Sequence, residues 1–169
     1  GWPGANPTDT EFFQKKHSFN NAKLTSFGMT KKTGRSADKD PGLSALLNSN
    51  TPAVCIVGKS WDFHVDIALG ISNEENLENI KETAKHFVKE NKEFMFDAEH
   101  FFDGYKANPN YALSCLKVAF DAGARWLVLC DTNGGTLPHE ITKIVTEVSK
   151  TIPGKNLGIH AHNDTGNAV

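Results

Sequence analysis

Several features are missing from this sequence, and each absence narrows the kind of protein it encodes. It has no Gly-x-Gly-x-x-Gly fingerprint and no complete Gly-x-x-x-x-Gly-Lys-Ser/Thr loop, so neither nucleotide-binding motif is predicted. No Cys-x-x-Cys pair occurs among the three cysteines, which excludes a zinc knuckle and a thioredoxin-type motif. The net charge is only −2, so nucleic acid is not an expected partner. The longest apolar runs, residues 53–57 and 126–130, fall far short of the ~20 residues that a membrane span needs.

The three cysteines occupy positions that suit a protein core. Cys55 and Cys130 fall within predicted strands, and Cys115 falls within a helical pattern. We interpret all three as reduced, buried thiols and expect a cytoplasmic protein. The alternative is that Cys130, which stands beside Asp131, is a nucleophile.

Strand-like and helix-like segments alternate along the chain. Two predicted helices open with capping boxes, Thr8-x-x-Glu11 and Ser72-x-x-Glu75, and a third has Asn108 as N-cap before Pro109. Strands that alternate with helices of this length predict a parallel sheet covered on its faces. The predicted strands cover residues 22–27, 53–58, 93–98, 125–130 and 157–161.

Polar residues follow several of these strands and favour a barrel over an open sheet. They lie at residues 59–60, 97–99, 131–133 and 160–164. Function at the carboxyl ends of consecutive strands is typical of a TIM (β/α)8-barrel, whereas an open sheet concentrates it at one switch point. A complete barrel needs about 250 residues and eight strands. We therefore expect residues 1–169 to be part of a single catalytic TIM-barrel domain, incomplete because the first and last strands are missing.

The His160-Ala161-His162 segment is the sharpest chemical signal. Strand residues two apart point the same way, so both imidazoles are predicted to face the mouth of the barrel. Two imidazoles there suit a divalent cation whose shell is completed by oxygen ligands. The alternative is a pair of hydrogen-bonded histidines at a strand end.

The segment from Asp131 to Thr136 is a second candidate. A strand that ends in an acid, a hydroxyl and two glycines makes a loop that lets backbone approach a ligand closely. Thr132 is predicted to hold a substrate carboxylate, and Asp131 is a candidate for the same site. The alternative is a strand-to-helix turn in which Asp131 satisfies backbone amides. For Thr136 we favour such a structural role, as a helix N-cap.

Two acids, Asp97 and Glu99, are spaced by two residues at another strand end and are predicted to face the same way. Acids there can orient a ligand, polarise a histidine or act in acid–base catalysis. The role of the adjacent His100 is left open. A basic cluster is either a solvated loop or a contact for the phosphates of a cofactor such as CoA: Lys31, Lys32 and Arg35.

Residues 131–138 and 160–169 carry Asp-Thr-Asn-Gly-Gly-Thr-Leu-Pro and His-Ala-His-Asn-Asp-Thr-Gly-Asn-Ala-Val. Together with the segments 1–7, 58–62 and 97–106, they make the chain resemble the isopropylmalate/homocitrate/citramalate synthase family over nearly its whole length. The resemblance implies condensation of acetyl-CoA with an α-keto acid, here pyruvate, to give citramalate and CoA in branched-chain amino-acid biosynthesis. A divalent metal (Mg, Mn or Zn) would polarise the keto carbonyl.

The family's motifs match particular residues here. His160 and His162 match its two histidine ligands, Thr132 a residue near the keto-acid carboxylate, and Glu99 an active-site acid. A third ligand, an Asp on the first strand, would lie upstream of Gly1, so the chain alone is expected to be inactive. Open sheet edges also predict a homo-oligomer. The alternatives are a synthase for another α-keto acid, a hydroxymethylglutaryl-CoA-lyase-like enzyme, or a catalytically silent binding domain.

Overall fold

In the computed structural model, which describes residues 1–168, strands and helices alternate along the chain. A π-helical turn, Val65–Leu69, follows the third helix. Within residues 1–168 no helix is both long and apolar enough to cross a membrane. The strands are β1 (Thr25–Met29), β2 (Ala53–Lys59), β3 (Glu93–Glu99), β4 (Trp126–Asp131) and β5 (Leu157–Ala161). The helices are α1 (Pro7–Gln14), α2 (Pro41–Leu47), α3 (Asp62–His64), α4 (Asn73–Lys89), α5 (Phe101–Ala107), α6 (Pro109–Asp121) and α7 (Pro138–Val148).

The strands form one five-stranded sheet in the order β1-β2-β3-β4-β5. Every neighbouring pair is parallel. A doubly wound sheet must reverse its strand order once, whereas a TIM barrel pairs each strand with its sequence neighbour. The structure therefore confirms the prediction of a partial TIM barrel. The chain start lies beside β1, because the Phe27 amide donates to the Gly1 carbonyl at 2.9 Å.

The two faces of the sheet differ in what they carry. On β3, Phe94, Phe96 and Ala98 are buried in the apolar core between the sheet and the helices. The Phe94 ring stacks on Phe87 of α4, with ring centroids 6.2 Å apart. Because strand side chains alternate, Asp97 and its neighbours two residues away lie on the opposite, inner face. We call that face the barrel face, and it carries the polar groups described below.

Two predicted helix caps are wrong and two are confirmed. Helix α1 starts at Pro7 with Asn6 as N-cap, whose side chain accepts from the Asp9 amide, so Thr8 does not open a capping box. Thr136 is not an N-cap either. Leu137 precedes Pro138 at the start of α7. The capping box of Ser72 with Glu75 and the N-cap at Asn108 are both present.

Local structure near the strand ends differs further from the prediction. Strand β1 begins at Thr25 rather than at residue 22. Helix α5 was not predicted, because it occupies a single short segment between β3 and α6. It follows directly on His100, which adopts a left-handed backbone with φ 55°. That turn reverses the chain from the end of β3 into α5.

Gly104 of α5 lies against the end of β2. A Cβ atom at this position would stand 2.5 Å from the Ser60 carbonyl oxygen and 2.9 Å from the Trp61 Cα atom. Both are backbone atoms, so they cannot move aside as a flexible side chain can. Only glycine lets α5 approach the β2 end this closely.

Replacing Gly104 by alanine should therefore destabilise the protein. We expect Gly104→Ala to lower the free energy of unfolding by about 1–3 kcal/mol, the usual cost of overpacking. Gly154→Ala is the matched control, because its Cβ would have nothing within 4 Å, and it should change stability by less than about 0.5 kcal/mol. Urea unfolding followed by circular dichroism gives both values. Equal effects of the two substitutions would contradict the close approach.

Candidate active site

The carboxyl ends of four neighbouring strands bring polar side chains together on the barrel face. Parallel pairing places Lys59 of β2 opposite Glu99 of β3. It also places Cys130 of β4 opposite His160 of β5. Asp97, two residues before Glu99, shares their face. These side chains lie on the barrel face at the end of the sheet where TIM-barrel active sites lie, and we call this region the candidate site.

The two histidines of the His160-Ala161-His162 segment lie side by side. Their ring centroids are 5.2 Å apart and their planes differ by 21°. The predicted common orientation of the imidazoles is therefore present in the structure. The His160 side chain is 49% exposed, so one edge of its ring is open to solvent.

The inner edge of the His160 ring meets a buried acid. Its Nδ1 atom lies 3.1 Å and 3.3 Å from the two carboxylate oxygens of Asp97. The Asp97 side chain is only 6% exposed. The sulfur of Cys130 lies 3.9 Å from the same nitrogen. One ligand atom from each of these three residues falls within 4.8 Å of the others.

Two of the three cysteines, Cys55 and Cys130, lie near this acid. Burial, and to a lesser degree the charge of Asp97, raises the pKa of the Cys55 thiol to about 12. The same two causes raise the pKa of Cys130 still further. Burial raises the pKa of Cys115 to about 12. Because the thiolate is the nucleophile, these raised pKa values argue against the alternative of a nucleophilic Cys130.

The thiol pKa values predict slow modification of the native protein. At pH 8, below all three raised pKa values, the thiols are protonated, so Ellman's reagent should react with none of them rapidly. In denaturant all three should react quickly, which serves as the internal control. A fast-reacting thiol in the native state that disappears in Cys130→Ser would show that Cys130 is activated.

Glu99 is held by its neighbours on β2. Its carboxylate forms an ion pair with Lys59, and its backbone carbonyl accepts from the Ser60 hydroxyl at 2.7 Å. The Lys59 carbonyl in turn accepts from the side-chain amide of buried Asn76 at 2.9 Å. The ends of β2 and β3 are thus fixed to each other, with one oxygen of the carboxylate taken by Lys59.

Thr132 lies at the junction of β4 and the end of β3. Its hydroxyl oxygen accepts from the His100 amide at 2.8 Å. Because a hydroxyl can accept and donate at once, its proton is still available for a ligand oxygen. This geometry suits the predicted contact with a substrate carboxylate.

Asp131 closes the turn that follows β4. One carboxylate oxygen accepts from the Thr136 amide at 3.2 Å and the other from the Thr136 hydroxyl at 2.8 Å. The residue is only 4% exposed, and it alternates in direction with Cys130 and Thr132 on either side. These contacts favour the alternative, a closed strand-to-helix turn, and the candidate substrate role of Asp131 stays a prediction.

The sequence patterns did not identify two sets of side chains near the candidate site. Lys59 was noted only as a residue at a strand end, although its place two residues after Val57 puts it on the barrel face. The second group is aromatic. The His64 and His100 rings meet edge to face at 4.3 Å, and Trp61 lies 4.8 Å from His64. Burial and the neighbouring His100 lower the pKa of His64.

The basic cluster of Lys31, Lys32 and Arg35 lies beyond the end of β1. Lys31 is 8% exposed and pairs with Glu82 at 2.8 Å, so its charge is already neutralised. Lys31, Lys32 and Arg35 all line an open cavity of about 630 Å³ beyond the end of β1. A phosphate contact by this cluster stays a prediction.

Comparison with known proteins agrees with the barrel fold. The family model described as HMGL-like matches residues 1–169. The chain belongs to the HMGL-like family.

This HMGL-like chain is 54% identical, over its full length, to the (R)-citramalate synthase of Aquifex aeolicus. It is 50% identical to that of Geobacter sulfurreducens, again over its full length. The chain spans about a third of the length of these relatives, 32% in each case. Among solved structures, the hydroxymethylglutaryl-CoA lyase from Pseudomonas aeruginosa superposes with a TM-score of 0.75 at 16% identity. The match covers 96% of this chain and 52% of that one, and it shows a shared fold.

Proposed function

We propose that this HMGL-like chain is part of the single catalytic barrel domain of a metal-dependent acyltransferase. The enzyme would condense acetyl-CoA with pyruvate to give citramalate and CoA, in branched-chain amino-acid biosynthesis in the cytoplasm. The proposal is supported above all by the stacked imidazoles of His160 and His162 at the carboxyl end of β5, next to the barrel face that carries Asp97 and Glu99 of β3. The identity to two (R)-citramalate synthases supports the choice of pyruvate.

The donor set fits a divalent cation. His160 and His162 present parallel rings, and the exposed edge of His160 opens to solvent where water and substrate oxygens can complete the shell. These two residues would hold Mg²⁺, Mn²⁺ or Zn²⁺, with the hard oxygen donors that such ions prefer supplied by further groups. When bound, the cation supplies Lewis-acid polarisation of a keto-acid carbonyl.

The chain's own side chains supply the remaining roles. The Thr132 hydroxyl donates to the keto-acid carboxylate and fixes its position. Glu99 exchanges a proton with the reacting substrates through the carboxylate oxygen that Lys59 leaves free. The acetyl methyl group loses a proton and its carbon bonds to the keto carbon, whose C=O π bond breaks. The keto oxygen takes up a proton to become a hydroxyl. Water then cleaves the thioester and gives a carboxylate, free CoA and a proton.

The assay that tests this function is CoA release by the full-length protein. Release that depends on both pyruvate and acetyl-CoA supports the proposal. Dependence on a different α-keto acid would instead indicate an isopropylmalate or homocitrate synthase. Cleavage of hydroxymethylglutaryl-CoA would indicate a lyase of the same fold. No turnover of any of these would leave a binding domain.

Glu99 gives the sharpest test of the site in the same assay. We expect Glu99→Gln to lower kcat by about 10²–10⁴-fold, the usual contribution of a positioned acid or base. The matched control is Glu90→Gln, at the exposed end of α4, which should leave kcat unchanged. A wild-type kcat in the Glu99→Gln enzyme would show that Glu99 has no role in the reaction.

We also propose that the isolated chain of residues 1–169 is a homo-oligomer. Within residues 1–168, β5 pairs only with β4, and Ile159 on that strand is 57% exposed. An unpaired strand edge beside apolar surface favours pairing with another chain.

The isolated chain of residues 1–169 should therefore give at least a dimer mass in light scattering. In the isolated chain, only a second copy can cover the open edge of β5 and the apolar surface beside it. Replacing Ile159 with Lys should shift the mass towards the monomer, while Lys155→Glu on the nearby turn serves as a control. A clean wild-type monomer across micromolar concentrations would contradict the proposal.

A further inference from the structure

We propose that Asp97 is a positioning residue that fixes both the orientation and the tautomer of His160. The inference rests on the proposed function, in which His160 is a metal ligand. Asp97 itself would touch neither the cation nor the substrate. Its role is to prepare the histidine before the cation arrives.

The position of Asp97 on β3 brings it under the His160 ring. Phe96 and Ala98, on either side of it, are buried in the core between sheet and helices. The Asp97 side chain therefore lies on the barrel face and points towards β5, two strands away in the sheet. A carboxylate buried this deeply needs a hydrogen-bond partner, and the structure provides the Nδ1 atom of His160 at 3.1 Å.

That contact determines which ring nitrogen carries the proton. An ionised carboxylate can only accept hydrogen bonds, so it holds the proton of His160 on Nδ1. The lone pair is then on Nε2, on the side of the ring away from Asp97. The ring as a whole stacks on that of His162. Histidines that ligate metals usually donate their second N–H to a carboxylate or a carbonyl, and this fixes the tautomer and raises ligand basicity.

A rival arrangement uses the same residues differently. Asp97, Cys130 and His160 offer three ligand atoms close together, so they could enclose a cation directly, through Nδ1 rather than Nε2. Such a cation would lie on the buried side of the His160 ring, between the ring and Asp97. It would leave His162 without a role, although the two rings are stacked. The geometry therefore favours Asp97 as a partner of the ligand.

The first test is the tautomer of His160 in the metal-free full-length protein. Long-range ¹H–¹⁵N spectra at neutral pH distinguish the two tautomers, and His160→Gln assigns the signal. We expect the proton on Nδ1 in the wild type. In Asp97→Asn the side-chain NH₂ can donate to Nδ1, and the proton should move to Nε2. A wild-type ring already protonated on Nε2 overturns the inference, even if the variant fails to fold.

The second test is metal affinity, measured by Mn²⁺ calorimetry without substrates. Asp97→Asn should weaken binding by about 10–100-fold, the usual effect of losing the carboxylate behind a histidine ligand. The matched control is Asp66→Asn on the exposed π-helical turn, which should leave the affinity unchanged. Wild-type affinity in folded Asp97→Asn overturns the inference.

Cobalt distinguishes the rival. With Co²⁺ bound, a thiolate ligand gives a sulfur-to-metal charge-transfer band, and we expect none in the wild type and an unchanged spectrum in Cys130→Ser. A band that is lost in Cys130→Ser would place the cation among Asp97, Cys130 and His160, and would overturn the positioning role. Because no substrate is present, a protein that passes these tests but condenses nothing would contradict the proposed function alone.

Discussion

The parallel pairing of each strand with its sequence neighbour is the constraint on which the site depends. It aligns the carboxyl ends of β2, β3, β4 and β5 at one edge of the sheet. Alternation along each strand then divides the residues into two sets. Aromatic and aliphatic side chains pack under the helices, and the side chains between them are free to carry chemistry on the barrel face. Without this register, Asp97 and His160 would not meet across 63 positions of sequence.

The strands and the common orientation of the two histidines could be predicted because their signals are local. Period-two spacing alone places His160 and His162 on one face, and apolar runs bounded by turns mark the strands to within about three residues. Contacts between strands are different. The pairing of Glu99 with Lys59 and of Asp97 with His160 depends on register, which a single sequence does not encode in any short segment. The capping of α1 was missed because Asn6 and Thr8 are both good caps, and Pro7 decides between them by fitting the first helical position.

Asp131 and Thr132 show how finely the division acts. They are adjacent in sequence, both polar, and both at the end of β4. The Asp131 side chain closes a turn with Thr136. The Thr132 side chain accepts a hydrogen bond from the His100 amide. A shift of one residue in β4 would exchange their roles. Composition therefore identifies the segment as a candidate site, but only the register of the strand identifies the residue.

The contact between Gly104 and the Ser60 carbonyl has a consequence for how this region can change. The same serine binds the Glu99 carbonyl, and the left-handed turn at His100 lies between Glu99 and α5. The ends of β2 and β3 with α5 therefore behave as one rigid block, in which Lys59 and Glu99 cannot be displaced separately. A ligand that pulls on the lysine must also carry the carboxylate with it. During evolution, substitutions at the ends of β2 and β3 should therefore occur in pairs. A single substitution at one strand end would leave its partner with a cavity or a steric clash.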